Sequence, residues 1–264
     1  MPDKKVIKSQ LKAKLKAILK IESRVKDKAK DIEVGDVSPF FLSLLGHEIT
    51  LYGKVAHSIT TTFGMSFYEQ VCQILSESVG YEVQLQYKMQ GEVNGEISEY
   101  LDTLLEDNNY KADRVKEIEH IKQLTTPGEA VTNPDSTVDV FVKTPDGVEY
   151  YIDITTVKPN KKEFRTLKRK LLKWTAMRLS IDPNADVRAF IAIPYNPEAI
   201  NDPSCTKYKR FSAFYDRKDI LVGNELWNVI SNNTFNILDM ITVFEDLSSE
   251  VTSQLKSELT KHTK

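Results

Sequence analysis

Residues 137–156 constrain the fold more than any other part of this chain. Two β-rich runs, Thr137–Lys143 and Val148–Thr156, are joined through Pro145-Asp146-Gly147. A three-residue hairpin loop takes glycine at its left-handed position, and Gly147 supplies it. Thr144 then faces Val148, which sets Asp139 directly opposite Asp153. Side chains alternate between the two faces, so Val138, Val140, Val142, Ile152 and Ile154 form an aliphatic core face. The odd-numbered face carries Asp139, Phe141, Tyr151, Asp153 and Thr155, and is expected to look toward solvent.

Two carboxylates opposed across a sheet repel each other and destabilise it. A divalent cation is one remedy. Mg²⁺ takes a few hard oxygens and keeps several waters, and such a site activates water and neutralises charge on a phosphate under attack. Two exposed acids on the wet face of a hairpin are the plainer alternative.

The rest of the chain mixes helix and strand, so the class is α/β or α+β. From Lys4 to Lys30, Ile7, Leu11, Leu15, Ile18 and Val25 recur at helical spacing among lysines, which predicts one basic amphipathic helix. A second helix is expected over about 40–62, ended by Gly64. Ser66-Phe67-Tyr68-Glu69 reads as a capping box opening a helix to about Ser78. Strand character returns over 81–89, and 95–123 reads as charged helix and loop. A long basic helix is expected over 161–180 on a stripe of Phe164, Leu167, Leu171 and Trp174. Val187–Ile193 reads as a buried strand, and helices follow around 224–230 and 248–261. No segment offers the ~20 apolar residues that cross a bilayer. The lysine-rich start has no apolar run after it, and the expected compartment is the cytoplasm.

Net charge is −2, yet the charge is segregated. Residues 1–30 hold eleven Lys/Arg against three acids, and 158–178 hold nine against Glu163 alone. Basic faces of this kind attract a phosphate backbone; solvated helix surface is the competing explanation. Cys72, Cys205 and the histidines make no zinc pattern and no disulfide framework.

The order of these elements resembles the PD-(D/E)XK nucleases, in which an Asp on one strand precedes Asp/Glu-x-Lys on the next. Here the elements are Val138-Asp139-Val140-Phe141-Val142 and Tyr151-Ile152-Asp153-Ile154-Thr155. Within that superfamily, Thr61–Glu69, Thr156-Val157-Lys158-Pro159-Asn160, Ile193-Pro194-Tyr195-Asn196-Pro197 and Ile220–Trp227 are similar to the TdeIII-like group of type II restriction endonucleases, which cut GGNCC-type palindromes. The resemblance covers about residues 55–235. It implies a restriction-endonuclease-like core, a mixed central sheet flanked by helices, with an N-terminal helical extension. It also implies Mg²⁺ held by Asp139 and Asp153, double-stranded DNA as substrate, and a homodimer, since two-fold sites call for two-fold proteins. Glu69 corresponds to a helix acid that touches the metal or its waters. Phosphate contacts are expected from Lys161, Arg165, Lys168, Arg169 and Lys173, with Lys209 and Arg210 in a second cluster. The division expected is residues 1–60 as a basic dimerisation or DNA-clamping segment and 61–264 as the nuclease domain.

One position departs from the pattern: Thr155 stands where the motif lysine belongs. Three readings of it remain open. Lys158 reaches back to substitute; the chain is a disarmed variant in which DIK became DIT; or the resemblance fails. The literal Pro134-Asp135 has no acidic partner in this register and is expected to be loop. A non-cleaving DNA-binding protein and a structure-specific repair or recombination nuclease are the alternative functions.

Overall fold

The structure is a computed structural model that describes residues 3–263 apart from 108–109, 129–131, 156–157, 159, 200 and 211–214. The chain divides into two units. One is Asp3–Tyr68 with Asp239–Lys264, and the other is Glu69–Leu238. The sequence expectation set the boundary at residue 60 and kept 239–264 with the sheet.

In the first unit, α1 (Lys4–Leu19) is capped by Asp3, whose side chain accepts from the Lys5 N–H. It buries Ile7, Leu11, Leu15 and Leu19, one per turn. The single long helix expected over 4–30 is broken at Lys20, which takes a left-handed conformation. A second helix, α2 (Ile21–Glu33), then restarts the stripe as Ile21, Val25, Ala29 and Ile32. In α3 (Pro39–Thr62) Gly46 kinks the backbone at φ 72°, a conformation open to glycine at no steric cost. Arg24 ties α2 to its surroundings through the Ile18 and Leu19 carbonyls and the Ser58 and Thr62 hydroxyls. A π-helical turn at Phe63–Phe67 ends this part of the unit, and α4 (Tyr68–Ser78), which follows it, belongs from Glu69 onward to the second.

The second unit is built on β1 (Glu82–Gln90), α5 (Gly95–Glu106), α6 (Arg114–Leu124), β2 (Thr132–Lys143), β3 (Glu149–Ile154), α7 (Lys161–Ile181), β4 (Val187–Ile193), β5 (Ile220–Val222) and α8 (Asn224–Ile230). A final helix, α9 (Ile237–His262), starts well before the expected 248. Within the first unit, Lys4 and Lys8 pair with Asp239, Lys12 with Asp246 and Lys16 with Glu250. One lysine row of the basic helix is therefore matched by acids rather than left bare.

The sheet order is β1-β2-β3-β4-β5. Pairing is antiparallel from β1 to β3 and parallel from β3 to β5. This is the mixed α/β architecture the sequence predicts. The hairpin register also holds: Val140 pairs with Ile152, Phe141 with Tyr151 and Val142 with Tyr150. Thr144 and Val148 close the turn, with Gly147 at φ 92°. Pro134-Asp135, expected as loop, lies within β2.

The odd-numbered face does not look toward solvent. Phe141, Tyr151 and Asp153 are buried along with Val140, Val142 and Ile152. Because β3 pairs in parallel with β4, α7 must cross over the sheet between them, and strands so placed are covered on both faces. Phe141 and Tyr151 join Leu171, Trp174 and Met177 of α7 in one core cluster. Among the glycines the approach is tightest at Gly91, where a Cβ would clash with the Met177 carbonyl oxygen.

Candidate active site

The register of β3 against α7 brings the site together. Along β3, Glu149 and Asp153 are four residues apart on one face, about 13 Å at strand spacing. Along α7, Lys170, Trp174 and Arg178 share a helix face, and the first and last are about 12 Å apart. The two spans match. Arg178 binds Glu149 through Nε (2.6 Å) and Nη2 (3.0 Å), while Lys170 Nζ lies 2.7 Å from Asp153 Oδ2. Trp174 fills the interval, with the Lys170 ammonium 4.9 Å from its ring centroid. Burial works against the Glu149 charge, but the Arg178 bonds and the Tyr151 hydroxyl hold its carboxyl below the usual range.

At the other end of β3 the strands present two carboxylates at one place. Burial, then the neighbouring Asp153 charge, then a proton shared with the Asp153 carboxyl push Asp139 up to about 7. The Ile154 N–H, donating to Asp139 Oδ2 at 2.8 Å, and the Lys170 charge pull the other way. Asp153 is only 5% exposed, and its Oδ2 has no directional hydrogen-bond partner despite the close ammonium. Lys170 therefore meets this oxygen as an ion pair rather than through a directed hydrogen bond. A buried carboxylate oxygen left with a free lone pair, beside a second carboxylate, is a donor set that fits a hard divalent cation. Among the described residues no third His, Cys, Asp or Glu closes on the pair.

Glu69 lies in the first turn of α4, half-buried, and burial raises its carboxyl above the ordinary range. Its charge and that of Asp139 both act, after burial itself, to push the fully buried Cys72 thiol up. Glu69 and Asp139 thus flank one side chain. Gln86 of β1 donates to Glu69 Oε2 at 3.0 Å. It occupies the gap in the β1–β2 register opposite Asp139, between the Leu85–Val140 and Tyr87–Val138 pairs. Its φ is 51°, the left-handed region that a non-glycine residue enters at a cost and that recurs at functional sites. Nothing in the sequence marks Gln86, which falls at an ordinary exposed position within the alternation of β1.

The remaining candidates separate. Thr155 continues the strand, its N–H donating to the Ala192 carbonyl, and carries no cation. Lys158 is exposed and, among the described residues, makes no ion pair with either aspartate. Lys168, expected to meet phosphate, is fully buried and holds Glu117 and Asp219 (2.5 Å to the latter). Arg114 pairs with the same Asp219 at 3.1 Å, making a buried, charge-balanced quartet. Arg169 pairs with Asp102 at the surface, Lys209 is exposed, and the Lys161 side chain lies outside the described residues. Arg169, Lys170 and Lys173, with Thr137 and Thr166, line an open cavity of about 640 Å³. His120 packs against the Tyr100 ring at 4.4 Å rather than toward the acids.

The sequence resemblance implies an acid on each of two successive strands, then a basic helix and a further buried strand; here that last strand, β4, pairs in parallel with β3. Residues 3–248 match the family described as "Type II restriction endonuclease, HinfI". The chain belongs to that family. Among curated relatives, the type II restriction enzyme MjaII of Methanocaldococcus jannaschii is 30% identical over 197 residues. That match takes in 70% of this chain and 52% of MjaII, so the chain spans about half the length of that relative. Two type II restriction enzymes of Herpetosiphon aurantiacus are similar over more of their length. HgiCII is 23% and HgiEI 25% identical, each over 84% of this chain and 82% of its own. Among the described residues of this HinfI-family chain, no helix is long and apolar enough to cross a membrane.

Proposed function

We propose that this chain is a Mg²⁺-dependent type II restriction endonuclease that hydrolyses both strands of DNA at a short palindrome of the GGNCC type. The observation that carries the reading is the Asp139–Asp153 carboxylate pair, Asp153 buried and Asp139 half-buried beside it, in a member of a restriction endonuclease family. Asp139 and Asp153 would hold the cation, as in the PD-(D/E)XK pattern. When bound, Mg²⁺ supplies charge neutralisation at the scissile phosphate and a more acidic water. The Ile154 N–H fixes the Asp139 carboxylate, and Gln86 fixes Glu69, whose part would be to orient a water. Arg165, Arg169, Lys173, Lys209 and Arg210, with Lys161, serve the DNA backbone, where such contacts set affinity and register. The protein acts as a homodimer, matching the two-fold symmetry of a palindrome, in the cytoplasm.

A non-cleaving DNA-binding protein on the same scaffold is the second reading, favoured by Thr155 at the motif lysine position. Digestion of supercoiled plasmid with Mg²⁺, and again with EDTA, separates them. Discrete fragments in Mg²⁺ alone support the endonuclease. Gel retardation without any cutting supports the second reading, and nicking confined to branched or flapped DNA indicates a repair nuclease instead.

A further inference from the structure

We propose that Lys170 of α7 is the active-site lysine of this enzyme, supplied from the crossover helix because the third strand has threonine at its position. The assignment rests on the nuclease reading above. Three observations carry it. First, Thr155 and Asp153 are two residues apart on one strand, so a lysine at 155 would rise on the same face as the Asp153 carboxylate. That face is the one α7 covers, as the Arg178–Glu149 pair shows at its far end. A cation reaching down from α7 therefore arrives where the missing side chain would have been.

Second, Lys170 is the cation that arrives. Its Nζ is 2.7 Å from Asp153 Oδ2 and 4.9 Å from the centroid of the Trp174 ring. The rival, Lys158, is exposed and makes no such pair among the described residues. Third, Lys170 is not sealed in. Its side chain is 25% exposed, against 0% for Lys168 two residues earlier, and it lines the polar cavity beside Thr137, two residues before Asp139. Lys168 balances buried acids. Lys170 stands between a catalytic carboxylate and solvent space open to a phosphate.

In hydrolysis the water oxygen bonds to phosphorus while its proton passes to bulk water. The P–O bond to the leaving sugar oxygen breaks, and that oxygen takes a proton from bulk water. Lys170 remains an ammonium throughout. It donates to the attacking oxygen or a non-bridging phosphate oxygen and offsets the charge that grows there.

The test is Lys170→Met, assayed for single-turnover cleavage and, in parallel, for DNA binding by gel retardation with Ca²⁺ in place of Mg²⁺. Cleavage should fall about 100-fold or more, within the ~10²–10³ that removal of one such charge-stabilising donor costs, while DNA affinity changes less than threefold. Adding Thr155→Lys to Lys170→Met should recover at least tenfold of the lost rate, which a merely structural role for Lys170 does not predict. Lys170→Gln repeats the test if Lys170→Met fails to fold. The assignment is overturned if Lys170→Met cuts within threefold of the unaltered enzyme. Equal losses of binding and cutting, failure of Thr155→Lys to restore the rate, or loss in Lys158→Met alone overturn it too. An unaltered chain that cuts no DNA at all refutes the nuclease reading, and this assignment with it.

Discussion

Asp139→Asn should stabilise the metal-free protein while it abolishes cleavage. Asp139 is pushed from 3.8 up to about 7 by burial and by Asp153, a difference worth roughly 4 kcal/mol at 1.36 kcal/mol per pK unit. Relaxation of the pair and partial solvent access reduce the recoverable part to about 2 kcal/mol. Asparagine keeps an oxygen for the Ile154 N–H, now 2.8 Å from Oδ2, and removes the charge. The sign follows from linkage: a folded-state pKa above the unfolded one favours folding at low pH, and that advantage is lost as pH rises toward 7. The gain from Asp139→Asn is therefore full above about pH 7 and absent below about pH 4. For a protein of this size, about 2 kcal/mol raises the midpoint by roughly 4–8 °C. Thermal melts in EDTA at pH 8.0 and pH 4.0, for both proteins, give the answer. A midpoint for Asp139→Asn that is lower at pH 8.0, or raised equally at both pH values, would refute the strained-pair account.

Three further outcomes follow from the same geometry. Lys168→Met leaves Glu117 and Asp219 buried with Arg114 as their remaining cation; it should cost about 3–5 kcal/mol, measured by urea unfolding, and act on activity only through stability. Gly91→Ala drives a Cβ into the Met177 carbonyl at a backbone φ of 135°, so the soluble yield and the midpoint should both drop sharply. Gln86→Gly relieves the left-handed backbone and should be neutral or up to about 1 kcal/mol more stable. By freeing Glu69, the same change should slow Mg²⁺-dependent cleavage, a split that a purely structural Gln86 would not give.

What could be read from the sequence depended on whether short-range periodicity settled it. The hairpin register was legible because Gly147 and the strict alternation of Val138, Val140 and Val142 leave few other pairings. The start of α7 was legible as well, since Asn160 and Glu163 form a reciprocal cap. The solvent-facing expectation failed at Phe141, Tyr151 and Asp153, while Asp139 is half-buried, because β3 gains a parallel neighbour and an overlying helix, which no local pattern announces. The break at Lys20 was hidden by a stripe that shifts phase without a glycine or proline. Lys168 falls on the apolar stripe itself, four residues after Phe164 and three before Leu171, and that spacing was the available sign that it is buried. Lys170 carried a fainter sign: with Arg178 it repeats over eight helical residues the span that Glu149 and Asp153 cover over four strand residues. Recognising this requires knowing that α7 lies on that face, a fact of tertiary packing.

If the Asp139–Asp153 pair drives metal-dependent cutting at one symmetric sequence, the ends left on genomic DNA after digestion by the purified chain in Mg²⁺ should share one short two-fold symmetric site and vanish in EDTA, in Asp139→Asn and in Asp153→Asn. Sequencing those ends is the test of this role for the pair. Ends without a common sequence, or site-specific ends that persist in either asparagine variant, would contradict it.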